Sequence, residues 1–185
     1  MSKPNILVVL GSTRDGRMGV HVGNWLREMM AKRNDLEMTY VDLRELGLPM
    51  FGEEQAAVIG EWVAMIEKAD GYIFITPEYN HGYSGVLKNA MDYALPQWAY
   101  KPAGFVSYSA GPFGGVRAVE QLRAVTAEMK IYGLRDGLHI PFVGKVFGED
   151  GTLLDESLNA RVENFLRPVS YWAEAMKDDR EGFIS

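Results

Sequence analysis

Apolar residues recur along this chain in two rhythms. Residues 5–10 read Asn-Ile-Leu-Val-Val-Leu, a nearly continuous apolar run closed by Gly11. Such a run predicts a strand covered on both faces, as in a parallel sheet. A polar, glycine-bearing stretch over 11–19 follows. Val22, Leu26, Met29 and Met30 then recur at helical spacing. Residues 36–43 alternate loosely and predict a second strand carrying Val41 and Leu43, and Gly47, Pro49 and Gly52 mark the loop after it. Val58, Ile59, Trp62, Val63, Ile66 and Ala69 predict a second helix, and residues 71–75 a buried strand that Pro77 ends. Ser84 is placed to cap a helix carrying Val86, Leu87, Ala90, Met91 and Ala94. Residues 102–107 predict a fourth strand, and Val119, Leu122, Thr126 and Met129 the helix behind it. A fifth strand is expected over 134–143, with Gly137 inside it and Pro141 near its end. Leu158, Val162, Phe165, Leu166, Val169 and Met176 predict a last helix, which Pro168 should kink or restart because it lacks an N–H.

Strict alternation of strands and helices predicts a three-layer α/β/α domain with a parallel sheet. Five strands in 185 residues suit the flavodoxin-like order 2-1-3-4-5 better than a six-stranded dinucleotide fold, and one domain over 1–185 accounts for the length. Composition narrows the function. A formal net charge of -6 disfavours nucleic acid and anionic membrane as partners. With no cysteine, disulfides, thiolate metal sites and cysteine nucleophiles are excluded. His21, His81 and His139 lie far apart and lack ligand spacing, so no metal site is expected. The short apolar start lacks the features of a signal peptide, and no stretch reaches the ~20 apolar residues of a membrane span. A cytoplasmic protein is expected.

In an open parallel sheet ligands bind at the carboxyl ends of the strands, near the switch in strand order. The distinctive loops after strands one, three and four, GSTRDGRMG (11–19), TPEYNHGYS (76–84) and SAGPFGG (109–115), should meet there. The first offers Ser12, Thr13, Arg14 and Arg17 at a helix start, a setting for one phosphate. It matches neither the G-x-x-x-x-G-K-[ST] nor the G-x-G-x-x-G pattern. The alternative is a solvated loop with surface arginines. Asp15 is expected to turn outward or act as a cap. In the second loop Pro77 stiffens the chain, Tyr79 and His81 are candidates to lie against a flat ring, and Asn80 to meet its polar edge. A proline-bounded turn covering core is the other reading. In the third, Gly111, Gly114 and Gly115 permit close backbone approach, or simply a turn.

These residues resemble the NADPH-dependent FMN reductase family. The most specific part is T-P-E-Y-N-H-G-Y-S-G-V-L-K-N-A-M-D (76–92), with G-S-T-R (11–14) before it and S-A-G-x-x-G-G (109–115) after it. The resemblance implies bound FMN. Its phosphate would meet Ser12, Arg14, Arg17 and the amides near Met18, Gly19 and Val20. Its ring would lie along Pro77, Glu78, Tyr79 and Asn80, with Ser109, Gly111 and Gly114 near the other end. Many members read R-x-x-S-x-N where this chain has Arg14, Arg17 and Gly19. The resemblance also implies a homodimer or homotetramer, with the helix over 85–94 and Glu78, Lys88 and Asp92 near the contact.

The implied activity is hydride transfer from NADPH or NADH, through FMN, to a small acceptor: free flavin, a quinone, an azo compound or a metal oxyanion. The chemistry belongs to the flavin, so no catalytic side chain is required. Two rivals remain: a flavodoxin-like electron carrier without NAD(P)H activity, and a flavin-free phosphate-binding module. Bleaching of a yellow protein by NADPH separates all three.

Overall fold

The computed structural model describes residues 2–184. Strands β1 (Asn5–Leu10), β2 (Glu37–Asp42), β3 (Gly71–Pro77) and β4 (Pro102–Tyr108) are parallel, in the order β2-β1-β3-β4. Short β5 (Tyr132–Gly133) and β6 (Leu138–Ile140) both pair with β4, so the fifth position of the 2-1-3-4-5 sheet is filled in two pieces. The continuous strand expected over 134–143 is thus corrected. Leu134 N still donates to Ala103 O at 2.8 Å, and the chain then leaves the ladder over 135–137, where Arg135, Asp136 and Gly137 intervene. Arg123 donates to the carbonyls of Leu134 and Arg135, each at 2.7 Å, which satisfies the gap.

Period-two alternation divides the core. Ile6, Val8, Leu10, Ile73, Ile75 and Val106 face α1 (Gly19–Ala31) and the last helix. Leu7, Val9, Tyr72, Phe74 and Phe105 face α3 (Ala56–Lys68), α4 (Gly85–Asp92) and α5 (Val116–Glu128). On that second side Trp62 donates to Ala90 O at 2.7 Å and Trp98 to Met91 O at 3.0 Å. Both large apolar rings are therefore buried without an orphaned N–H. Single-turn helices α2 (Leu43–Leu46) and α6 (Val143–Val146) fall where strand ends were expected. Asp42 caps α2, accepting from Arg44 N at 3.0 Å, and so ends β2 one residue early.

Helix α7 (Ser157–Ile184) runs through Pro168 without restarting. The carbonyl that loses its partner belongs to Asn164, an exposed residue that water reaches. Phe165 and Val169 meanwhile press onto Gly104, where a Cβ would come within 2.7 Å and 2.9 Å of them. That packing holds the helix on the sheet across the proline.

The same topology delivers the site. Gly11 N donates to Ile75 O at 2.8 Å, and Ser84, the cap of α4, donates its hydroxyl to Gly11 O at 2.5 Å. The loops after β1 and β3 are thereby tied together at the carboxyl edge.

Candidate functional site

The three loops close around a cavity of about 210 Å³ lined by Arg14, Arg17, Met18, Pro77, Glu78, Tyr79, Tyr108, Ser109, Ala110 and Val143. Most of the expected site residues line it. Ser12, Gly19, Val20, Asn80, Gly111 and Gly114 do not, and each has a definite place nearby.

In the first loop the two arginines have different situations. Arg17 is buried and grips Asp42 with both terminal nitrogens, at 2.6 Å and 2.5 Å, while also donating to Ser12 O. Its charge is matched by a carboxylate, and its fork holds the loop against the end of β2. Arg14 makes no ion pair among the described residues, and its guanidinium lies 6.0 Å from the centre of the Tyr79 ring. Asp15 points outward to Arg44 at 2.6 Å, one of the two expected outcomes. Helix α1 begins without a side-chain cap. Among the described residues the N–H groups of Gly19 and Val20 have no acceptor, so the positive end of the helix is open.

Two buried hydroxyls stand beside that helix end, Ser12 Oγ and Tyr108 OH, with no hydrogen-bond partner among the described residues other than each other. Burial pushes the Tyr108 hydroxyl up to about 12; Ser12, Arg17 and Arg14 pull the other way. Tyr108 is a residue the sequence reading missed. Its place at the carboxyl end of β4, directly before the SAG loop, was the available signal.

The second loop is a tight hairpin. Tyr79 N donates to Gly82 O at 2.9 Å and Gly82 N to Tyr79 O at 3.0 Å. Asn80 and His81 turn the corner with φ of 51° and 68°. Both are exposed at the tip rather than in the cavity. Glu78 N donates to Tyr108 O at 3.1 Å, extending the β3–β4 ladder into the site. The Glu78 carboxylate is nearly enclosed: Oε1 accepts from Arg117 Nε at 2.6 Å, while Oε2 is buried without a partner. Arg117 also lies over the exposed Phe113 ring at 4.7 Å.

In the third loop Gly114 is set by packing. Its φ is 60°, and a Cβ there would meet the backbone of Ile140 and Pro141 at 3.0 Å and 2.9 Å. Gly111 has open space around it. Among the described residues the N–H groups of Ala110, Gly111 and Gly114 have no acceptor, so this loop offers amide donors.

A sequence model described as NADPH-dependent FMN reductase matches residues 4–144. The chain belongs to that family. An NAD(P)H-dependent FMN reductase of Schizosaccharomyces pombe is 35% identical over 138 residues, 69% of this chain and 68% of that one. A quinone reductase of Pseudomonas putida strain KT2440 is 30% identical over 176 residues, 87% of this chain and 92% of that one. Among solved structures, the flavoenzyme NAD(P)H:(acceptor) oxidoreductase FerB of Paracoccus denitrificans superposes with a TM-score of 0.80. It is 23% identical, with 94% of this chain and 98% of that one covered, a likeness of fold. This FMN reductase family member is accordingly an oxidoreductase that uses FMN and NAD(P)H. Its donor set fits the cofactor: a pair of buried hydroxyls, open helix amides and an arginine without an ion pair among the described residues stand at one end, glycine-loop amides at the other. No helix among the described residues is long and apolar enough to cross a membrane.

Proposed function

We propose that the cavity holds FMN with its phosphate at loop 11–19 and its ring along 77–80 and 109–114. NAD(P)H and a small acceptor, a quinone or free flavin, then use the open side by Tyr79 in turn. The observation that carries this reading is the convergence of three loops on one cavity at which the Arg14 guanidinium makes no ion pair and Glu78 Oε2 no hydrogen bond among the described residues. When bound, FMN accepts hydride from the nicotinamide and passes electrons to the acceptor. Arg14 supplies the free positive charge at the phosphate end, and Ser12 supplies a desolvated hydroxyl. Pro77 and the Glu78 N–H bond to Tyr108 O fix the strand end against which a flat ring can rest. The free amides of Ala110, Gly111 and Gly114 favour electron density on the ring nearby. Arg117 holds Glu78 and keeps the floor of the site charge-balanced.

Assembly as a homodimer belongs to this reading. Between α4 and α5 lies a largely apolar groove of about 430 Å³, lined by Met91, Ala94, Leu95, Ala124, Val125 and Met129. Leu95 is 64% exposed there, an arrangement that a second copy would cover. A cytoplasmic location goes with the use of NAD(P)H.

The test is the visible spectrum before and after anaerobic NADPH. A flavin band that bleaches, followed by steady-state rates with parallel double-reciprocal lines for quinone, supports alternating use of one face. Convergent lines sink the shared face. A flavin that neither NADPH nor NADH bleaches leaves an electron carrier, and a colourless protein that takes up no FMN removes the cofactor reading. Light scattering after size exclusion checks the dimer.

A further inference from the structure

The Tyr108 hydroxyl occupies a position the rest of the fold has cleared for it. Tyr108 is the last residue of β4, yet its side chain reaches across the end of β3 to the first turn of α1. Gly19 makes this possible: a Cβ at residue 19 would collide with the Tyr108 hydroxyl and lie 3.1 Å from its ring carbon Cζ. The hydroxyl is buried, with the residue only 5% exposed, and Ser12 Oγ beside it is fully buried. The two hydroxyls interact with each other, and neither has a hydrogen-bond partner outside that pair among the described residues. Two hydroxyls that can bond only to each other leave one O–H proton without an acceptor, and at an open helix start that points to an absent acceptor. Arg17, which stands where many members of the family have a serine, lines the cavity but commits its terminal nitrogens to Asp42.

We propose that Tyr108 is a phosphate-binding residue, whose hydroxyl, reaching through the gap left by Gly19, donates to the FMN phosphate together with Ser12 and the Gly19 and Val20 amides. The proposal rests on the reading of loop 11–19 as the phosphate site. A phosphate ester is acceptor-rich and dianionic, and it matches a cluster of hydroxyl and amide groups that all have a proton to donate. In effect the strand-four tyrosine adds a second hydroxyl beside that of Ser12, at the position where the loop itself carries Arg17.

The experiment compares FMN with riboflavin, which lacks the phosphate. Dissociation constants for both flavins are measured by flavin fluorescence quenching on wild-type, Tyr108→Phe and Gly19→Ala proteins, with circular dichroism melting as a check on folding. Tyr108→Phe keeps the ring and the core packing. It is expected to weaken FMN by about tenfold, the low end for a hydrogen bond to a charged group, and to leave riboflavin unchanged. Gly19→Ala, which displaces the hydroxyl, is expected to lose the same FMN preference. An unchanged ratio of FMN to riboflavin affinity in Tyr108→Phe overturns the proposal, as does an equal loss for both flavins. Wild-type protein that binds neither, or shows no preference for FMN over riboflavin, overturns the phosphate-site reading instead, so the two failures are distinct.

Discussion

Two arginines three residues apart look interchangeable in the sequence and are opposites in the fold. Arg17 is clamped between Asp42 and the Ser12 carbonyl, whereas Arg14 is exposed and unpaired among the described residues. Arg14→Ala is expected to weaken FMN binding by about tenfold while leaving the melting temperature within a degree or two, because it removes a charge but no internal contact. Arg17→Ala should instead destabilise the protein by about 2 kcal/mol, since it strands a mostly buried carboxylate, and its effect on FMN should follow from loosening of the loop. Isothermal titration with FMN and thermal melts of both variants check this. Equal stability in the two would refute the division of labour. The reason this was illegible is physical: the sequence displays charge type but not which carboxylate folds back to meet it, and Asp42 arrives from the end of the next strand. Ser12, directly after the strand-ending glycine, is buried beside the start of α1. Gly114 was read as permitting close backbone approach or simply a turn, and its φ of 60° and its contact with the 140–141 backbone are the demand the fold itself makes there. A glycine announces that something comes near, not what.

At the scale of elements, the buried strands and amphipathic helices were legible wherever one periodicity ruled a long segment. β1, β3 and β4 are apolar on both faces, and the helices covering them carry the expected stripes. The misreadings fall where local signals compete. Around 134–143 a strand pattern contains a glycine and exposed charges, and side-chain bonds from Arg123 allow the chain to leave the ladder and return. In α7 the helix continues through Pro168 rather than restarting, with tertiary packing holding it on the sheet. That second case yields a paired expectation. Gly104→Ala puts a methyl within 3 Å of both Phe165 and Val169. It should destabilise the domain by about 1–3 kcal/mol, the usual cost of overpacking. Pro168→Ala restores a helical N–H opposite the Asn164 carbonyl and should stabilise by about 1 kcal/mol or more, well short of the full ~3 kcal/mol helix penalty because the proline already sits at an accommodated position. Urea denaturation of each variant measures both. A Gly104→Ala protein as stable as wild type would mean that α7 rides loosely on the sheet.

At the scale of the molecule, β4 connects two distant polar clusters. At its carboxyl end stands Tyr108 with the site, and just before its start stands Lys101, buried beneath α3. The Lys101 ammonium donates to Ile66 O at 2.7 Å and Glu67 O at 3.1 Å and lies 5.6 Å from the centre of the Tyr72 ring. Burial, and then Arg180, pulls its pKa from 10.5 to about 7, against the opposite pull of Asp70 and Glu67. Between those two values the unfolded chain holds a proton that the folded protein has released. Raising the pH through that window therefore favours the folded state, and below pH 7 the cost of burying the charge is fully present. Stability should climb from pH 7 to 9 by at most about 1.4 kcal/mol per pH unit, and Lys101→Met should flatten the climb. Parallel pH profiles for the two proteins would refute the assignment. The site responds to a different variable. FMN bound only by the folded state, at about 100 times its dissociation constant, adds about 2.7 kcal/mol to the unfolding free energy. A strand of this length spans roughly 20 Å, and changes separated by more than ~10 Å with no shared partners add within about 0.5 kcal/mol. The FMN increment, read from urea titrations with and without cofactor, should then be the same in wild type and Lys101→Met to within that margin. A smaller increment in the variant would mean that β4 carries strain from one end to the other, and that the lysine at its base helps set the position of Tyr108 at its tip.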